Sequence, residues 1–181
     1  MKLSGHAAGG VIITRILFKV LKPQSSYERL YFLISGGIAG TMPDWDGLVY
    51  IIKKKKLKIE SDFRHHTWIT HTFVFHLTIS GMLYLIGKLL QSNAFKQKAL
   101  IVGASTSVHL IQDTIGTGDG IMLFYPVTKH MYGIGLSGLH GNEWAADYVK
   151  RPIYNVERSL KIIALVIVVM EALKLVKQKL R

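Results

Sequence analysis

The stretch Ala99-Leu100-Ile101-Val102-Gly103-Ala104-Ser105-Thr106-Ser107-Val108-His109-Leu110-Ile111-Gln112-Asp113 decides the reading of this chain. It is apolar or small almost throughout and shows no useful strand alternation, so it reads as a helix. Its one carboxylate, Asp113, comes last. His109 stands four residues earlier, so the two side chains share a face at the C-terminal end of the helix. An ionised carboxylate is costly to bury alone in such a place, and a neutral imidazole there needs a partner. A divalent metal satisfies both, because it ligates both. Taken alone, an HxxxD pair is more often a simple His–Asp hydrogen bond. Its weight comes from the same residue types recurring at other helix edges.

Those recurrences are His6, the run Pro43-Asp44-Trp45-Asp46, and the run His65-His66-Thr67-Trp68-Ile69-Thr70-His71. The pattern around them is helical. Val11, Ile12, Ile16, Leu17 and Val20 form an amphipathic stripe that ends before Pro23. Arg15 and Lys19 interrupt this segment, which reads as a retained helix and not as a cleavable signal peptide. Ser25 and Ser26 are candidate N-caps for a second helix through Ala39. In it Gly36, Gly37 and Gly40 let another helix come close. Leu48 to Ile52 is a short apolar piece before the lysine block, which reads as an exposed loop. From Thr67 to Gly87 no charged residue appears except the histidines His71 and His76, over about the length that crosses a bilayer, roughly 20 residues. Thr114 to Gly120 and Tyr132 to His140 are glycine-rich and irregular. A last helix runs from about Val156 to near the end, with an apolar core, Ile162 to Met170, that is short for spanning.

Composition narrows the options. The chain has 181 residues, enough for one domain, and no break in composition divides it. Apolar residues make up 49 % and mean hydropathy is +0.27, greasy for a soluble domain. There is no cysteine, so disulfides, thiolate metal sites and thiol catalysis are excluded, and any metal is held by nitrogen and oxygen. The net charge is +12, gathered in blocks: Lys53 to Lys56 with Lys58, Lys174 to Arg181, and Lys2 to Lys22. Basic blocks flanking apolar segments suit an anionic lipid surface. Nucleic acid is the less favoured partner, because aromatic residues do not interleave with the lysines as a strand-binding groove requires.

The remaining candidates have weaker geometry. Asp44 and Asp46 follow a helix end, where a turn can aim both carboxylates at one ion or one at each of two. An ordinary helix-ending turn is the plain alternative. His66 and His71 would diverge in one continuous helix, but they converge if the helix starts near Thr67 or Trp68, with His66 in the loop and His71 in the first turn. His65 rivals His66, and Arg64 is a candidate anion clamp. His76 reads as a hydrogen-bonded core histidine. His140 with Glu143 is an unfavoured extra pair. Together the order His, Asp-x-Asp, His, His-x3-Asp supplies enough donors for two ions, the arrangement used in phosphate-ester hydrolysis.

On Gly5-His6, Pro43-Asp44-Trp45-Asp46, His66, Thr70-His71-Thr72, His109, Asp113, Thr117, Gly120 and Tyr125-Pro126, the chain resembles the YdjM-like family. Its members are described as LexA-binding, inner-membrane-associated metal-dependent hydrolases. Thr67 and Trp68 depart from that family's histidine motif, which has Arg and Gly there, and Gly47 stands where relatives often carry a polar residue. More distantly the chain is similar to the zinc-dependent phospholipase C and single-strand nuclease superfamily, without its later histidine–glutamate pair.

Residues and resemblance together imply one all-α domain over 1–181, a helical bundle with its metal cluster at helix ends, partly embedded in or associated with the bacterial inner membrane, multi-pass or peripheral. The expected ligands are His6, Asp44, Asp46, His66, His71, His109 and Asp113, around two divalent ions, zinc first and manganese or iron next. Asp44 or Asp46 is the expected base or orienting group, Arg64 the group that offsets phosphate charge, and a metal-activated water the nucleophile. The expected substrate is a phosphoester, with a lipid headgroup as one candidate. The rival is a non-catalytic membrane adaptor with a structural metal and a protein partner of LexA type.

Overall fold

The computed structural model describes residues 1–55, 64–139 and 147–180, the His65 side chain apart. Its helices are α1 (Leu3–Leu21), α2 (Ser26–Thr41), α3 (Asp46–Lys54), α4 (Phe73–Leu89), α5 (Asn93–Gly116) and α6 (Ile153–Lys179). Three 3-10 turns join them, Met42–Trp45, His65–Thr67 and Ile69–His71. Among the described residues there is no strand, only one bridge between Ile121 and Tyr132. The fold is all-α, as its hydrophobic spacing implies.

Helix α1 lies in the middle and packs against α2, α5 and α6, while α4 packs on α5. The core between them holds Ala8, Val11, Phe18, Phe32, Leu33 and Ile101. Contact between α1 and α2 is made by absent side chains. A methyl group on Gly10 would overlap the Gly36 carbonyl, and one on Gly36 would overlap Thr14 Oγ1. Farther along, a Cβ on Gly40 would come within 2.5 Å of the His6 carbonyl. These backbones approach as closely as small residues permit. The approach brings His6, near the start of α1, beside the end of α2.

Several boundaries differ from the sequence reading. Helix α4 starts at Phe73, not near Thr67, because Thr72 caps it by accepting from Phe75 N at 3.2 Å. His71 therefore precedes the helix, in a turn. The expected long apolar span shrinks to the 17 residues of α4. Instead α1, with 19 residues, is the one described helix long and apolar enough to cross a membrane by length and composition, and 44 % of its apolar window is buried in the bundle. Lys53 and Lys54 close α3 and do not lie in a loop, a placement that suits the negative end of the helix dipole. The pair His140 and Glu143, and Lys56 and Lys58, lie outside the described residues.

The outer faces are apolar. On α6, Ile162, Ile163, Leu165, Val166, Val169, Met170 and Leu173 are exposed, and on α4 so are Leu77, Met82, Leu85 and Leu89. The charged residues buried on α6 are glutamates that hold their own lysines. Glu157 accepts from Lys161 at 2.9 Å and Glu171 from Lys174 at 2.8 Å. Glu157 also accepts from Lys2 N at 3.0 Å, which ties the start of α1 to the start of α6.

Candidate metal centre

Four elements meet at one place. Helix α1 brings His6, the turn after α2 brings Asp44, the turn before α4 brings His71, and the end of α5 brings His109 and Asp113. The loop after α5 fixes the segment that leads to α4: Met122 N donates to His66 O at 3.2 Å and Phe73 N to Leu123 O at 3.0 Å.

Asp44, His71, His109 and Asp113 each offer one ligand atom, and these four atoms lie within 4.8 Å of one another. His109 Nε2 is 3.0 Å from Asp113 Oδ2 and 3.6 Å from Asp44 Oδ1. His71 Nε2 is 3.4 Å from Asp44 Oδ1 and 3.9 Å from Asp113 Oδ2. Ligands held at about 2.0–2.2 Å around a tetrahedral ion would stand about 3.3–3.6 Å apart. His109 Nε2 and Asp113 Oδ2 are buried and form no hydrogen bond, although they face each other. Buried polar atoms rarely stay so. A cation between them supplies the missing partner, so this donor set fits a metal ion.

The outer contacts set the tautomers. His109 Nδ1 donates to Gly40 O at 2.7 Å, which leaves Nε2 as the ligand nitrogen. His71 Nδ1 faces Asp46 Oδ2 at 3.4 Å, and Thr70 Oγ1 donates to the same oxygen at 3.3 Å. Asp46 thus stands behind His71 and outside the quartet. The sequence reading counts both aspartates as ligands, of one ion or of two; here the first turn of α3 points Asp46 inward at the far side of the His71 imidazole.

His6 and His66 flank the quartet. His6 Nδ1 donates to Gln112 Oε1 at 3.0 Å, and its Nε2 is 3.1 Å from Asp113 Oδ1, the carboxylate oxygen that the quartet leaves unused. Its ring stacks on His109 with centroids 3.7 Å apart. His66 Nε2 is 3.9 Å from Asp113 Oδ2. Arg64 is exposed two residues before it. His76 is buried apart from the quartet, donating from Nε2 to Thr70 O at 2.6 Å, as a hydrogen-bonded core histidine should. Gln112 and the Gly40 carbonyl are the contributors that the sequence reading missed. The place of Gln112 is kept open by a glycine: a Cβ on Gly9 would meet its amide at 2.6 Å.

The site is unevenly covered. The His71, His109 and Asp113 side chains are at most 2 % exposed, against 19 % for Asp44 and 17 % for His66. Burial raises the Asp44 pKa, but the His71 hydrogen bond and the His109 ring outweigh it and hold the carboxyl well below the usual carboxylate range. Burial lowers the His71 pKa, but hydrogen bonds to Asp44 and Asp46 raise it to about 9.

The family profile of the YdjM inner membrane protein matches residues 1–179. The chain belongs to that family. The match runs past the stretch from Gly5 to Pro126 on which the resemblance was drawn and takes in α6, and it makes this a membrane protein. No curated protein and no solved structure matches the chain.

Proposed function

We propose that this chain is a multi-pass inner-membrane hydrolase that uses a divalent-metal centre on a phosphoester, with a lipid headgroup as the favoured source. One observation carries the reading: the quartet of Asp44, His71, His109 and Asp113, whose ligand atoms lie within 4.8 Å of one another, with His109 Nε2 and Asp113 Oδ2 buried without a hydrogen bond and the more exposed side at Asp44 and His66. Structural metal sites are closed, whereas catalytic ones keep an accessible position.

In this reading the quartet holds one ion. His6, His66 and Asp113 Oδ1, which in this structure accepts from the N-terminal ammonium at 2.9 Å, are the donors left for a second. Nitrogen and oxygen donors of this kind suit zinc, and also manganese or iron. A bound divalent ion supplies Lewis acidity toward water and a phosphoryl oxygen. Asp46 positions His71, Gly40 positions His109, and Gln112 positions His6. Arg64, exposed two residues before His66, is the group proposed to meet the charge of the phosphate. The apolar outer faces of α4 and α6 meet lipid, and the lysines at the helix ends meet anionic headgroups. With α1 shielded at its centre, the bundle crosses as a unit. Its helices of 16 to 27 residues correspond to about 24–40 Å, against a hydrocarbon thickness of about 30 Å.

The test is hydrolysis by the purified full chain with zinc or manganese restored, on phosphomonoesters and phosphodiesters that include phospholipids. The expected result is turnover that chelator and Asp113→Asn abolish. No turnover of any of them would contradict the reading. DNA binding that collapses with rising salt would favour nucleic acid instead.

A further inference from the structure

Helix α3 is built inside out. Trp45, Leu48, Val49 and Ile52 follow the spacing i, i+3, i+4, i+7, which puts them on one helical face. In a helix packed on its own protein that face would be covered. Here the four side chains are between 41 and 74 % exposed. The opposite face is the one packed inward, with Asp46 and Tyr50 buried one turn apart. The stripe ends in three exposed lysines, Lys53, Lys54 and Lys55. Lys53 Nζ lies 5.8 Å from the Trp68 ring and Lys54 Nζ 5.8 Å from the Tyr50 ring. Ile69, in the turn packed against the Met42–Trp45 turn that leads into α3, is exposed as well.

We infer that α3 is an interfacial anchor whose outward apolar face lies in the headgroup layer of an anionic bilayer. The chemistry selects this occupant. A short helix with one apolar stripe, a tryptophan at one end and lysines at the other has the composition of a helix lying in the membrane plane. Tryptophan favours the boundary between headgroup and acyl chain, and each lysine near the surface gains from anionic lipid. The consequence reaches the metal centre, because Asp44 and Asp46 stand just before and at the start of this helix. Its seat in the headgroup layer sets the depth of both carboxylates, and the open side of the quartet then lies level with lipid phosphates. The inference rests on the membrane placement proposed above, and it holds whether or not the centre is catalytic.

The chain has no cysteine, so single cysteines report single positions. Leu48→Cys, Ile52→Cys, Lys54→Cys and, on the outer face of α6, Leu165→Cys would each carry an environment-sensitive fluorophore in the full chain. The labelled proteins would be reconstituted into phosphatidylethanolamine–phosphatidylglycerol vesicles. The expected result is blue-shifted emission at 48, 52 and 165, quenched by lipid-borne doxyl groups and not by aqueous iodide, with the reverse at 54. Replacing phosphatidylglycerol by phosphatidylcholine should return 48 and 52 toward iodide while leaving 165 unchanged. If 165 is lipid-quenched but 48 and 52 are iodide-quenched, the anchor is wrong and the membrane placement stands. If all are iodide-quenched, the placement itself fails. Protection at 48 and 52 that persists in lipid-free micelles and grows with protein concentration would assign the face to a second copy and overturn the proposal.

Discussion

Between α1 and α2 there is no room for a methyl group at Gly10, Gly36 or Gly40, whereas α6 turns Ile162, Leu165, Val166, Val169 and Leu173 outward, largely uncovered. Both regions are apolar by sequence, and they do different jobs. The seam holds two backbones in direct contact, and its end is where His6 and the Gly40 carbonyl meet the centre. The outer face of α6 needs only to be greasy. Precision in this molecule lies where side chains are missing, and tolerance lies where they are large.

The sharpest way to break that contrast is to fill the seam. Gly10→Leu drives a side chain into the backbone of α2, which cannot step aside as a flexible side chain could. The expected cost lies at or above the top of the ~1–3 kcal/mol range for overpacking. It should appear as loss of folded protein in size-exclusion chromatography of the detergent-solubilised chain. Next in size is Asp113→Asn. It removes a quartet ligand and should lower metal affinity by more than the ~10–100-fold typical of outer contacts, at unchanged helix content by circular dichroism.

Asp46→Asn probes a contact one step farther out. It leaves the quartet whole but withdraws the carboxylate behind His71. Metal affinity, measured by competition with a chromophoric chelator, should fall by about 10–100-fold. The pH dependence sharpens the same point. Without metal, His71 keeps its proton up to about pH 9, and Asp44 stays ionised throughout the range. The metal must displace that proton. Its apparent affinity should therefore rise about tenfold per pH unit from neutrality to about pH 9 and then level off. In Asp46→Asn the levelling should begin at lower pH. Smallest is Leu165→Ala on the outer face, expected to shift thermal stability in detergent by no more than about 0.5 kcal/mol. A large loss there would mean that this face packs on something.

Much of this was legible beforehand, for reasons that differ by residue. His109 and Asp113 announced themselves by a four-residue spacing in a stretch otherwise without charge, and helical geometry alone puts them on one face. Gly36, Gly37 and Gly40 signalled close approach for an equally local reason. The division of labour between Asp44 and Asp46 was not legible. Both flank Trp45 in a turn, and only the packing of α3 decides which carboxylate faces the quartet. The start of α4 was misplaced because the Thr72 cap competes with an apolar run that looks continuous from Thr67. The role of Gln112 depends on a contact 106 residues away in sequence, which no local pattern encodes.

The most direct test of the central claim is elemental analysis of the purified full chain after exposure to zinc and manganese and removal of the excess, beside His109→Ala and Asp44→Ala treated in the same way. The account predicts at least one tightly held divalent ion per chain in the parent and a near-complete loss in both variants, with helix content unchanged. A metal-free parent, or variants that keep the ion, would contradict it.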